Sequence, residues 1–500
     1  MRKVIFIFTL FANSVFYSQN LGLDTSFDTD GKVFNTSISE FPQEIFFEDN
    51  KYFFVFDNGF YSINYDGTVN TSFGVNGKIF FNNSTELFLT KGAKMHNGFI
   101  YIFGQQSYNS SGTNKNTFIA KISTSGVFDT SFGTNGFMRF DSGVDEEIIN
   151  DIIINDDGKI LAVGTRANTL FVSKINSNGT PDLSFNSVGY KSFTLPSQSF
   201  SMGVSVYNYL GNLLLVGSAT LAGIKSLIFM KIDSNGNLIS SYGNNGLKTT
   251  TLAGLGTTGI YTMLKSKLFE DRLYIVYYFG WSFTTQMNQL VKYNLTSDEY
   301  SSVSNVPTVK YDYILDSEEN IYITGTERCS PTTSSNCPRN YNIHKRNNFG
   351  NLDLSFNATG SYSHNFFPGD LYSDDKSSTL FRHPDGKILI AGNIYNPYSP
   401  YGVGTSGFAV IRVMDTPLSS NEYKKENISL YPNPVADELN IDTSSDIIIL
   451  TIEITDVNGR LVYVQNNNNK KIQVDNLKEG VYFLKIKTES FDYVAKFIKN

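Results

Sequence analysis

Phe128-Asp129-Thr130-Ser131-Phe132-Gly133-Thr134-Asn135-Gly136 decides the fold, because versions of this stretch return along the chain. LDTSFDTDG occupies 23–31, VNTSFGVNG 69–77, PDLSFNSVG 181–189, LISSYGNNG 238–246 and LDLSFNATG 352–360. The serine before the aromatic residue falls at Ser26, Ser72, Ser131, Ser184, Ser241 and Ser355, in steps of 46, 59, 53, 57 and 114. Such spacing marks a repeat architecture. Because the last step is twice 57, a degenerate seventh copy is expected near Asn294–Ser302 (NLTSDEYSS).

Two further elements recur in step with the motif. Apolar runs such as Ile160–Gly164 (ILAVG), Leu213–Gly217 (LLLVG) and Ile388–Gly392 (ILIAG) precede alternating runs such as Phe118–Ile122 (FIAKI) and Phe171–Ile175 (FVSKI). Runs of this kind, rich in Ile, Val, Phe and Tyr, read as strands. Asn155-Asp156-Asp157-Gly158 and Ser177-Asn178-Gly179 supply turns that accept positive φ. Each unit therefore holds about four strands, which fits a propeller blade.

The chain begins with Arg2-Lys3 and the apolar run Val4–Ala12, the pattern of a secretory signal over residues 1–18. No other run is long and apolar enough for a transmembrane helix. Lys plus Arg number 40 against 47 acids, for a net charge of −7, so no basic patch supports nucleic-acid binding.

Units fill residues 21–414. The first motif copy, with its strand Lys32–Asn35, precedes any complete unit, and the last alternating strand, Phe408–Val413 (FAVIRV), has no motif after it. Complementary ends suit a ring in which the N-terminal strand completes the last blade and removes an open edge. The expected fold is all-β: a seven-bladed β-propeller, then a small Ig-like β-sandwich.

With Asp157-Gly158-Lys159-Ile160 and Pro384-Asp385-Gly386-Lys387-Ile388 ahead of LDxSFG-like motifs, the units resemble the delta-60 repeat family. The resemblance implies a propeller-like fold and no established chemistry. Within the motif, Asp129 and Ser131 suit bonds to turn amides. The aromatics Phe27, Phe73, Phe132, Phe185, Tyr242 and Phe356 read as anchors between sheets, and Gly133 and Gly136 permit the tight return. Asp24, Asp28 and Asp30 could offer oxygen ligands to a cation, but other copies replace the later acids, so no metal or cofactor is expected.

Cys329 and Cys337 are the two cysteines, eight positions apart in the Ser/Thr/Pro-rich stretch 327–340. In an exported protein they read as a disulfide. The histidines His96, His344, His364 and His383 are scattered, and no GxSxG, HExxH or P-loop appears. Glu146-Glu147 and Asp374-Asp375 could serve a glycosidase only if folding set their carboxylates at suitable separations. Their simpler reading is solvated loop charge. No catalytic residue is assigned.

Residues 415–428 read as a polar linker. Tyr431-Pro432-Asn433-Pro434 then opens a module over 429–500, with strands at 438–441, 447–456, 461–465, 471–474, 480–488 and 491–498 and a turn at Asp456–Arg460. The YPNP opening, the DVNGR turn with Gly459, the LKEGVYF stretch with Gly480 and the terminal KFIK closely resemble the type A sorting domain of the type IX secretion system of Bacteroidetes. That resemblance implies the secretion machinery as a partner, and a secreted or outer-membrane-surface location after export to the periplasm. The expected function is a non-catalytic binding or adhesion propeller for a glycan or surface protein. The alternative is a glycan-degrading hydrolase or lyase using carboxylates on one propeller face.

Overall fold

The computed structural model describes residues 21–81, 86–107, 115–140, 147–250, 260–280, 287–306, 308–327, 339–368, 373–396, 405–414, 429–442, 449–456, 460–466, 468–488 and 492–500. Cys329, Cys337, Gly459, Glu146, the N-terminal signal and the 415–428 linker lie outside them. The described chain is all strand and turn. It divides into two compact units, Met1–Asp415 and Thr416–Asn500.

The first unit holds seven four-stranded antiparallel sheets among the described residues. Their first strands are Glu44–Glu48, Leu87–His96, Glu147–Ile154, Gln198–Tyr209, Ile260–Phe269, Thr308–Leu315 and Lys376–Arg382. We number the sheets one to seven in that order. Each sheet contacts the next, and the seventh contacts the first. Each of the seven seams carries its own buried apolar cluster. This cyclic stack is a β-propeller. Both sheet faces are covered, which is why second strands such as Ile160–Arg166 are continuous apolar runs rather than alternating ones.

Turns between first and second strands are two to five residues long, for instance Asp49–Asn50 and 155–159. They share one end of the propeller with the motif, which links third to fourth strands. Second-to-third connections such as 328–340 and 397–404, and fourth-to-first connections such as 251–259, join strand ends at the opposite end. Chain length there varies widely.

The seventh sheet closes the ring. Lys32–Asn35 pairs antiparallel with Thr405–Met414, Val33 opposite Val410, so the two ends of the unit build one sheet. An ion pair locks it. Arg412, fully buried, donates through Nε to Asp24 Oδ2 at 2.8 Å and lies over the Phe27 and Tyr65 rings, both at 4.5 Å. Lys387 Nζ reaches the same oxygen at 3.1 Å. Burial alone would raise the Asp24 carboxyl. Hydrogen bonds from Ser26 and the charges of Lys387 and Arg412 outweigh it and hold the group at about 2.

Other motif copies repeat this construction. Asp129 Oδ1 accepts from the Ser131 N–H at 3.1 Å and from its hydroxyl at 2.6 Å, an Asx-type turn. The same bonds recur at Asp24–Ser26, Asn70–Ser72, Asp182–Ser184 and Asp353–Ser355. A cation on the third strand meets the motif acid: Lys121–Asp129 at 2.7 Å and Lys345–Asp353 at 3.2 Å. In sheet one both charges are absent, and Asn70 Nδ2 donates to Ser62 Oγ at 3.0 Å. In sheet four Ile239 holds the acid's place, and Lys231 lies over the Tyr209 ring at 5.3 Å. Gly133 has φ +57°, and a Cβ there would come within 2.1 Å of the Phe137 carbonyl oxygen. Its N–H donates to the Asn178 carbonyl of the next sheet at 2.7 Å, so the motifs also bond sheet to sheet.

Sheet five departs from the pattern. Asn294–Ser302 is not a degenerate motif but a tight turn. Asn294 Oδ1 accepts from the Thr296 and Ser297 amides, both at 2.8 Å, and the chain passes straight into Tyr300–Val306. Tyr293 pairs with Tyr300, so the third and fourth strands form a simple hairpin. Leu295 and Val303 are buried in the two flanking seams instead of a motif aromatic. A longer fourth strand, Tyr300–Val306 with seven residues, helps keep the spacing near two units.

The second unit is a two-layer sandwich. Ser429–Tyr431, Glu438–Asp442 and Lys471–Gln473 form one sheet. Leu461–Gln465, Ile449–Asp456, Gly480–Thr488 and Asp492–Lys499 form the other. Their inward residues share one core that includes Leu439, Ile452, Leu484 and Phe497.

Removing one partner of a buried ion pair strands the other, a loss of about 3–5 kcal/mol. Arg412→Met should therefore lower stability by about that amount in denaturant titrations, while Asp24→Leu/Arg412→Met recovers much of it. Because the folded Asp24 pKa lies below its unfolded value, its stabilisation is complete above about pH 4 and is lost as pH falls towards 2. The thermal midpoint of the wild type should drop across that window more than that of the double variant.

Candidate functional site

The first strands converge on the axis, and their register defines one level of the channel. Opposite the second-strand residue that precedes the ILAVG-type glycine, or its equivalent, stand Glu44, Gly92, Asp151, Ser205, Lys265, Asp312 and Thr379. In sheets two to five and in sheet seven a bulge immediately precedes this level, and in sheet six an irregularity lies one residue earlier. Bulges re-aim side chains and mark positions next to sites.

The three acids at this level act alike. Glu44 Oε2 accepts from the Ala93 N–H at 3.2 Å, Asp151 Oδ2 from Val206 at 3.1 Å and Asp312 Oδ2 from Leu380 at 3.4 Å. In each case the donor follows the level residue of the next sheet. The other seams carry side-chain links: Lys94–Asp151 at 3.3 Å, Tyr207–Ser266 at 2.8 Å and Lys265–Asp312 at 2.6 Å. Ser378 Oγ donates to the Pro42 carbonyl at 2.6 Å and closes the circuit from sheet seven to sheet one. Each seam is thus crossed near the axis by a polar contact.

Electrostatics follow from this crowding. Asp312 loses water by burial, yet Lys265 and Lys267 hold its carboxyl below the usual range. Burial dominates at Asp151 and raises its carboxyl despite Lys94. The Asp151 charge holds the Lys94 ammonium above its ordinary value. Lys267, two residues beyond Lys265, is lowered to about 8 by burial and by the Lys265 charge. Its ammonium lies over the Tyr313 ring at 5.5 Å. Among the described residues no carboxylate lies within ion-pair distance of it. Lys265, Lys267, Glu44, Asp312, Leu380 and Phe381 line a cavity of about 280 Å³.

The motif aromatics sit elsewhere, at the seams. Phe27, Phe73 and Phe132 are fully buried, Phe185 and Phe356 nearly so, and Tyr242 is half-buried against the seam of sheets four and five. Glu147 and Asp375, from the two acidic pairs, are not solvated loop charges. Glu147 is fully buried on its strand and pairs with Arg166 at 3.0 Å, and buried Asp375 accepts from the Phe366 N–H at 3.1 Å. Seams shield these groups because bulky neighbours cover both sheet faces. His383 lies 2.8 Å from Asp385 in the 383–386 turn, and His344 bonds Ser361. Asp24, considered above as a cation ligand, is engaged by Arg412 and Lys387.

In the sandwich Tyr431 is exposed, and Pro432 and Pro434 flank Asn433. Asn433 Oδ1 accepts from the Ile498 N–H at 2.9 Å, and its Nδ2 donates to the Lys496 carbonyl at 3.3 Å. The opening motif thus clamps the terminal KFIK strand. Gly480, at φ +156°, starts the strand paired with that same segment.

Comparison with known proteins follows this division. Residues 429–500 match the secretion system C-terminal sorting domain, and residues 156–185 match the domain of unknown function DUF5122 β-propeller. The first unit is thus a β-propeller containing a segment that matches DUF5122, and the second unit matches a secretion system sorting domain. The chain is therefore handled by the type IX secretion machinery and is secreted or attached to the cell surface. No helix among the described residues is long and apolar enough to cross a membrane. No curated protein sequence matches the chain. Similar solved structures include the extracellular domain of BT4673 from B. thetaiotaomicron, at 10% identity and a TM-score of 0.39. That alignment covers 97% of this chain, which spans 60% of the other. The Neurospora crassa Pan2 WD40 domain aligns at 10% identity and TM-score 0.39, covering 77% and 92% of the two chains. The GH43 endo-arabinanase from Bacillus licheniformis aligns at 13% identity and TM-score 0.30, covering 54% and 100%.

Asp312 serves two seams at once, so Asp312→Ala should cost about 3–5 kcal/mol in chemical denaturation. Glu44→Gln keeps an acceptor oxygen for Ala93 and should cost about 1 kcal/mol or less. Equal losses would contradict the asymmetry.

Proposed function

We propose that the protein is a non-catalytic binding or adhesion propeller that presents a glycan- or protein-contacting surface outside the cell. The observation that carries this reading is the saturation of the channel carboxylates. Asp312 accepts from the Lys265 ammonium, the Thr379 hydroxyl and the Tyr313 and Leu380 amides. Asp151 faces Lys94 and accepts from the Ile152 and Val206 amides. A general acid or base must have a lone pair or proton free for substrate. These are committed to the fold.

Export supplies the setting. The first 18 residues act as the secretory signal, residues 429–500 as the sorting module, and Cys329 and Cys337 pair in the oxidising exterior. Ligand contact falls to the end of the propeller at which second strands finish and first strands begin, since segments joining strands of a rigid scaffold carry recognition. The glycan-degrading alternative draws on one feature. Asp151 is raised while Asp312 is lowered, and acid–base pairs are found among carboxyls whose environments push them apart.

Purified secreted protein on an array of glycans and surface polymers, with product release followed in parallel, separates the two. Saturable binding without products is the expected result. Products that vanish in Asp151→Asn, with the melting temperature retained, would establish the hydrolase or lyase instead.

A further inference from the structure

The cavity at the turn-bearing end of the channel is built differently from the saturated level beside it. Its polar members Glu44, Lys265 and Asp312 are engaged in the inter-sheet circuit, Glu44 through one oxygen. Lys267 is not. It points from the same strand, two residues nearer the turn, and has no carboxylate within ion-pair distance among the described residues, only the Tyr313 ring. The corresponding position is Ile153 in sheet three, Ile314 in sheet six and Phe381 in sheet seven, so a lysine is not required to build the strand.

A half-buried ammonium with no carboxylate in ion-pair contact is costly. Around it, Lys94 and Lys265 are in ion-pair contact with Asp151 and Asp312, and Lys267 is the lysine left without such a contact among the described residues. Burial first, and then the Lys265 charge, lower its pKa to about 8. The rest of the lining is apolar: Ile45, Ile314, Leu315, Leu380 and Phe381. One free cation against an apolar wall is the complement of a single anionic head on an apolar body. At about 280 Å³ the cavity is at the small end of ligand sites.

We propose that this end of the channel binds a small organic monocarboxylate, its carboxylate paired with Lys267 and its apolar body against Leu380 and Phe381. This site is separate from the loop-bearing end to which glycan or protein contact is assigned above, and does not depend on it. A bound carboxylate supplies the counter-charge that the sheets withhold. It also fixes the class of ligand: a neutral isostere leaves the cation unpaired, and a hydrated inorganic anion leaves the apolar wall unused.

The test is calorimetric titration of the full-length secreted protein with sodium benzoate, benzyl alcohol and inorganic phosphate at neutral pH. Saturable benzoate binding, with benzyl alcohol and phosphate at least tenfold weaker, is expected. Lys267→Met should weaken benzoate at least tenfold with an unchanged or higher melting temperature, while Lys267→Arg stays within a few-fold of the wild type. Should Lys267→Met fail to fold, the contrast among the three probes on the wild type and Lys267→Arg still decides. Absence of benzoate binding, phosphate binding as tight as benzoate, or a Lys267→Met protein that binds benzoate normally would each overturn the assignment.

Discussion

A ring of sheets has no free edge only if its last member is finished, and here the finishing strand comes from the other end of the unit. Lys32–Asn35 must find Thr405–Met414 across nearly the whole propeller, and short strand pairing alone is a weak fastener. The buried Arg412–Asp24 pair adds direction to that closure. Its guanidinium is sandwiched by Phe27 and Tyr65, so the charge is held by aromatic faces as well as by a carboxylate. All other seams join segments close in sequence. This one bears the entropy of a loop of 388 residues, and so everything else in the first unit depends on it.

Around the axis the same logic is applied at smaller scale. An acid on one first strand takes a backbone N–H of the next, at the same relative position, in sheets one, three and six. Lysines neutralise two of these acids. The circuit satisfies groups that would otherwise be stranded in a narrow channel, where unpaired polar groups are expensive. Asp151 and Asp312 have both carboxylate oxygens engaged by the architecture, and Glu44 has one. Lys267 stands out against this background as a channel lysine with no carboxylate in ion-pair contact among the described residues.

Repetition is looser where the chain has other means of filling a seam. Sheet five dispenses with the motif altogether, placing Leu295 and Val303 where other sheets place an aromatic ring. Sheet one drops the ion pair and substitutes an amide–hydroxyl bond. What persists is volume and hydrogen-bond completeness, the two requirements a closely packed interior imposes.

The sequence by itself determined the repeat, the strand order within each unit, the complementary ends and the sorting module, since these rest on local periodicity, turn chemistry and contiguous motifs. It also carried the motif's inner wiring, because Asp129 and Ser131 are two residues apart. The channel was not legible. Glu44, Asp151, Lys265 and Asp312 share no motif and come from four different units, and they meet only because register sets them at one level of a closed ring, with Lys267 two residues nearer the turn. The burial of Glu147 and Asp375 escaped a linear reading for the same reason. A charge pair in sequence says nothing of the neighbouring sheet that will cover it, and the apparent seventh motif at Asn294 was a matter of spacing that longer strands reproduce. Tertiary structure decided these points because they depend on which strands become neighbours, and that is a property of the ring rather than of any segment in it.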